Sequence, residues 1–139
     1  MKLPPNIKPL PILLEKITKF TGLAFANNIY LRSSFYNDLL KDNPSAESVG
    51  ILLHEEEHIK RRIKMGMSGF WWGLKYWLDK DFRYQEEIEA NRVQFFYLKK
   101  QGNNFNLEKR ARQLSGYVYL WCTTYQKAIK DLKLIWEKA

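Results

Sequence analysis

Histidine and cysteine are almost missing from this chain, with two of the first and one of the second among 139 residues. A single thiol, Cys122, excludes an intramolecular disulfide and argues against a secreted disulfide scaffold. Two histidines exclude any site that needs three imidazoles. No uncharged apolar stretch approaches the roughly 20 residues that a membrane-spanning helix requires. In the N-terminal "MKLPPNIKPLPILLEK", Pro9 and Pro11 break the short apolar run and Glu15 ends it. No small-residue cleavage site follows, so the segment does not read as a signal peptide. A soluble, cytoplasmic protein is the expectation. There is no block of like charge either: the net charge of +8 is spread along the whole length. Such a surface is mostly solvated, with long-range attraction for acidic partners, an anionic membrane surface or nucleic acid. No nucleic-acid-binding motif accompanies it, so no nucleic acid is expected. Internal repeats and low-complexity segments are absent too.

What is present is apolar and aromatic: 45% hydrophobic and 15% aromatic residues, enough for a packed core. The length suits one domain, residues 1–139. Residues 1–11, with four prolines, read as an extended lead-in. The spacing of Ile12, Leu13, Ile17 and Phe20 predicts a short helix over 12–20, stopped by Gly22. Residues 23–32 read as a strand. Asn43-Pro44-Ser45 starts a helix that runs to Lys64. Asp81 caps a second long helix, 82–100, closed by Gly102, and a short one follows near 107–114. Residues 117–121, "YVYLW", carry no clear signal. Thr123 and Gln126 form a capping box for a last helix, with Tyr125, Ala128, Ile129, Leu132 and Trp136 on its buried side. The expected class is α+β, mainly helical, with a small sheet; 101–139 forms a C-terminal helical extension.

Both histidines fall in "LLHEEEHIKR", four residues apart. On a helix that spacing places His54 and His58 on one face, where both can reach one metal ion. Glu55 is then set to hold a metal-bound water rather than the metal, the HExxH arrangement in which zinc lowers the pKa of its water to about 7. The competing reading is a solvated, glutamate-rich helix. Glu56 and Glu57 stand where uncharged residues are usual, and either point outward to Lys60 and Arg61 or make an oxygen-rich site of their own.

A catalytic zinc usually takes three protein ligands and a water. With histidine exhausted and Cys122 reading as a buried core thiol, a carboxylate is the remaining choice. "FRYQEEIEANRVQ", 82–94, offers several on the second long helix. There Glu87, Asn91 and Gln94 share one face beside Ala90, whose small side chain permits close approach to the histidine helix. Asn91 is placed to bond the second nitrogen of a metal-bound imidazole. Glu86 and Glu89 point elsewhere, solvated or paired with Arg83 and Arg92. A surface helix with several acids is the plainer account of the same residues.

HEEEH at 54–58, followed by Glu87-Ile88-Glu89-Ala90-Asn91, resembles the gluzincins, zinc peptidases with HExxH and a downstream glutamate. By size it is most similar to the minigluzincins, and the resemblance covers residues 22–100. It implies a zincin-like fold with the active-site helix packed on a second ligand-bearing helix. It also implies Zn²⁺ held by His54, His58 and Glu87, with Glu55 as general base and Asn91 bonded to a zinc-bound imidazole. The 23–32 strand would flank the cleft, its edge open to an extended peptide substrate. The oxyanion-stabilising residue is not assigned; Tyr84, Tyr117 and Arg112 are candidates.

Two other classes compete. One is a catalytically inactive, zinc-stabilised binding module; the other is a basic nucleic-acid adaptor without metal. The C-terminal helix, folded over the cleft, would make a peptidase latent. "GFWWGLKYWL", 69–78, reads chiefly as core; an apolar substrate pocket or a peripheral membrane contact near Lys75 and Lys80 are the alternatives.

Overall fold

The proline-rich first residues are extended but not unpaired. In the computed structural model, which describes residues 2–139, β1 (Ile7–Pro9) runs parallel to β3 (Asn28–Leu31). The expected single strand over 23–32 is instead a hairpin: β2 (Gly22–Phe25) pairs antiparallel with β3, and Ala26 turns the chain at φ 52°. The sheet order is β1-β3-β2, which leaves β2 at an edge.

Seven α-helices and one 3-10 turn complete the described residues, a mainly helical α+β architecture. Helix α1 (Ile12–Ile17) is shorter than expected and buries none of its side chains. Helix α2 (Ser33–Leu39) is one the sequence did not announce. Its N-terminal residue has no local cap; Glu15 reaches across 18 positions to accept from the Ser33 backbone N–H at 2.9 Å and its hydroxyl at 2.8 Å. Helix α3 (Ala46–Lys64) starts where Ser45 accepts from the Ser48 N–H, satisfying one of its unpaired first-turn donors. Helix α4 (Gly69–Leu78) holds the aromatic stretch. Helix α5 (Lys80–Lys100) is capped by Asp79 rather than Asp81, its Oδ1 taking the N–H groups of Asp81 and Phe82. After α6 (Leu107–Leu114) and the 3-10 turn Tyr117–Tyr119, α7 (Tyr125–Lys138) is capped by Thr124, not Thr123.

Two apolar clusters hold these elements. Ile29, Leu31, Leu39 and Ile51 join the sheet to α2 and α3, and Phe95, Leu114, Ala128 and Leu132 join α5, α6 and α7. The site depends on the junction between α3 and α5. Ala90 is fully buried there, and a Cβ on Gly50 would sit 3.4 Å from Gln94 and Leu98, so small residues let the two helices come close. No helix of the described residues is long and apolar enough to cross a membrane.

Candidate metal centre

Helical periodicity turns His54, Glu55 and His58 inward from α3, while Glu87 and Asn91 face them from α5, and all five are buried. The Glu87 carboxylate sits between the imidazoles, with Oε2 3.2 Å from His54 Nε2 and Oε1 3.3 Å from His58 Nε2. One ligand atom from each of these three residues lies within 4.8 Å of the others. Two imidazole nitrogens and one carboxylate form a donor set suited to zinc.

The electrostatics of the two imidazoles differ. Burial pushes His54 down to about 4, so its ring is neutral near pH 7 and has a lone pair to offer. In the neutral form that exposes Nε2, the proton rests on Nδ1. The Nδ1 atoms of both rings are buried without a hydrogen-bond partner. Burial works against charge on His58 as well, but the adjacent Glu87 carboxylate outweighs it and holds that imidazole above its usual value. For Glu87 burial would raise the pKa; His58 and His54 keep it well below the carboxylate range. The residues therefore fit a divalent cation held by nitrogen and oxygen.

Glu55 lies against the sheet. A Cβ on Gly22 would approach its Oε1 to 2.9 Å, so a bare backbone at the start of β2 makes room for the carboxylate. Burial pushes Glu55 up to about 7, only partly offset by His58 and by the Ala24 backbone N–H. A cavity of about 530 Å³ opens beside it, lined by His54 and Glu55, by Gln94 of α5, by the 102–106 loop and by Arg110 and Tyr119. Helix α7 does not lie over this cleft; it packs Ala128, Leu132 and Ile135 into the core with α5 and α6.

Several residues that sequence reasoning passed over complete the site. Arg110, from α6, donates from Nη2 to Glu87 Oε2 at 2.8 Å and lies 3.4 Å from His54 Nε2. Its Nη1 donates to the Tyr119 hydroxyl at 2.7 Å and to Gln113 Oε1 at 3.4 Å. Tyr76, from α4, donates to Glu87 Oε1 at 2.5 Å, while its ring stacks on Trp72. A signal for Arg110 existed: it interrupts the apolar stripe Leu107, Ala111, Leu114, where a charged residue needs a buried partner.

Other expectations change. Asn91 does not bond to an imidazole: its Nδ2 donates to the Glu87 carbonyl at 2.7 Å, and its Oδ1 accepts from Arg110 Nε at 3.2 Å. The amide thus orients Arg110, because the guanidinium carries the charge that most demands a partner. Glu86 is neither solvated nor paired with Arg83 or Arg92; it is fully buried and takes two bonds from Arg61, at 3.0 and 2.8 Å. Arg83 donates instead to the carbonyls of Tyr76, Trp77, Tyr119 and Leu120, and Glu89 pairs with Arg92 as expected. Glu56 turns outward toward Lys60 at 3.9 Å. None of the three oxyanion candidates faces the centre. Tyr84 bonds Asp131 at 2.8 Å, Tyr117 is 57% exposed beneath Lys19, and Arg112 lies on the exposed side of α6. Cys122 is buried, its thiol donating to the Leu114 carbonyl.

Comparison with protein-family models, curated proteins and solved structures finds no match. The geometry of the centre, together with the HExxH resemblance, therefore carries the functional reading.

Proposed function

We propose that the protein is a zinc-dependent peptidase of the gluzincin type, acting on protein or peptide substrates in the cytoplasm. The observation that carries this reading is the meeting of His54, His58 and Glu87 around one point, with buried Glu55 beside it at the edge strand and an open cavity in front. A free buried thiol at Cys122 accords with a reducing compartment.

His54, His58 and Glu87 are the residues that would hold zinc. Bound there, zinc supplies Lewis acidity and a water acidified to a pKa of about 7. Glu55, pushed up to about 7 by burial, takes a proton from the attacking water and returns it to the departing amine. Strand β2 lies at the sheet edge, where backbone groups other than the Ala24 N–H, which Glu55 takes, can meet an extended peptide. Tyr119 is the donor best set for the developing oxyanion. Its oxygen accepts from Arg110, which leaves its own O–H for the cavity that it lines. Tyr76 and Arg110 fix the Glu87 carboxylate from either side.

Glu55→Gln tests the reading: peptide cleavage should fall about 100-fold or more, in line with loss of a general base, while zinc stays near one per chain. Cleavage retained in that variant sinks the assignment. One observation favours a second reading, a metal-held module without catalysis. Arg110 already satisfies one oxygen of Glu87, as a purely structural network would require. An assay with and without chelator separates the two, since only a peptidase loses turnover with its metal.

A further inference from the structure

Helix α4 carries its apolar face outward. Phe70, Trp71, Leu74, Trp77 and Leu78 recur at the spacing of one helix face. All five are exposed, from 39% at Leu74 to 77% at Leu78. The opposite face does the anchoring: Trp72 is buried, stacks on Tyr76 at 5.0 Å and meets the His58 ring at 5.6 Å. A helix at an ordinary water-facing surface shows the reverse pattern. A contiguous exposed apolar face of this kind marks an interaction surface.

The charges around it indicate what it meets. The end of α3 is tied to the start of α4 by Arg62, which donates to the Met67 carbonyl at 2.9 Å. Gly69 abuts Ala26 at the hairpin tip, where Phe25 is 59% exposed. Exposed Lys75 and Lys80 flank the C-terminal end of α4, and exposed Lys60 and Lys64 lie on the last two turns of α3, Lys60 beside Glu56. Of the acids at the C-terminal end of α4, Asp79 caps α5 and exposed Asp81 opens it beside Lys80, so the positive charge that reaches this face is chiefly Lys75 and the net charge of the chain. Protein–protein interfaces are depleted in lysine, whereas tryptophan interleaved with lysine is the composition of a membrane-interface helix. Ten residues of helix can lie in such an interface and are far too short to cross it.

We infer that α4 docks this protein on an anionic lipid surface, with its Phe and Trp rings entering the headgroup region and the flanking lysines meeting lipid phosphates. This does not depend on the peptidase reading. The net charge of +8 draws the protein to the surface, and the rings hold it there.

The test floats the full chain with vesicles of phosphatidylcholine, with or without one third phosphatidylglycerol, in chelator so that metal plays no part. The expected result is co-flotation with the anionic vesicles and a blue shift of tryptophan emission. Trp71→Ala/Trp77→Ala keeps every charge and removes two exposed rings. Its vesicle partitioning should drop at least tenfold while its thermal unfolding curve stays in place. Three results overturn the inference. The wild-type chain stays in solution with anionic vesicles; the double variant floats as well as the wild type, which charge alone would explain; or the wild type is a dimer that the variant dissolves, with no vesicle binding by either.

Discussion

Replacing Glu87 with Gln would remove one charge from the centre and almost none of its shape. In the metal-free protein the buried Arg110 guanidinium would lose a carboxylate at 2.8 Å, and His58 would lose one at 3.3 Å. The Tyr76 hydroxyl can still donate to the amide oxygen, so that bond is kept. At an effective dielectric constant near 20, a pair about 4 Å apart is worth about 4 kcal/mol. Breaking a buried pair from one side costs about 3–5 kcal/mol, because the other charge is stranded. Against a native stability of order 5–15 kcal/mol, Glu87→Gln should stay folded and melt roughly 10–20 °C lower. Circular dichroism melts in chelator measure this, and Arg110→Met alone and combined with Glu87→Gln complete a cycle. The double variant should recover part of the loss, since it strands no charge at this position. The outcome that refutes the reasoning is a metal-free Glu87→Gln that melts at or above the wild type. The carboxylate would then be strained in the empty centre, with Arg110 failing to compensate it.

Two further predictions concern the same centre. His54, pushed down to about 4, contributes stability that is lost as pH falls from about 6.5 toward 4; Glu55, pushed up to about 7, has the opposite sign, its contribution being lost as pH rises from about 4.5 to 7. Between about pH 4.5 and 6.5 the two cancel, so the metal-free wild type should show a nearly flat denaturant midpoint. Glu55→Gln should instead lose about 1.4 kcal/mol per pH unit on acidification across that window, and a flat profile for the variant would contradict the burial of His54. Gly22→Ala places a methyl group 2.9 Å from Glu55 Oε1 and 3.0 Å from Leu31 Cδ2. Peptide turnover should fall while the zinc-to-protein ratio holds, and unchanged turnover would mean that Glu55 has no need of that bare backbone.

What could be read from the sequence was what depends on neighbours along the chain. The inward facing of His54, Glu55 and His58 follows from helical spacing alone, and Ala90 signalled the close approach that brings Glu87 opposite. Helix α2 escaped because its cap, Glu15, lies 18 residues away and no pattern near Ser33 reports it. Arg110 and Arg112 look alike in sequence, yet two positions apart on a helix they point to nearly opposite sides; only Arg110 falls on the buried stripe. Tyr119 and Tyr117 differ in the same way within the 3-10 turn. The aromatic stretch reads chiefly as core, yet only Trp72 of it is buried, because contacts of Trp72 and Tyr76 with His58, and of Tyr76 with Glu87, suffice to anchor α4.

The order in which the centre receives its parts has a consequence for biosynthesis. His54, His58 and Glu87 leave the ribosome first, and Arg110 follows Glu87 by 23 residues. At ordinary elongation speeds of 5–20 residues per second, that is a delay of about one to five seconds. During that interval Glu87 lacks its guanidinium partner, and Tyr119 is later still. The residues that would hold a metal are therefore all synthesised before Tyr119, the donor proposed for the oxyanion. Under the peptidase reading, a copy that ends before Tyr119 lacks both the oxyanion donor and the α7 side of the core on which α5 packs, which limits what an unfinished copy can cut.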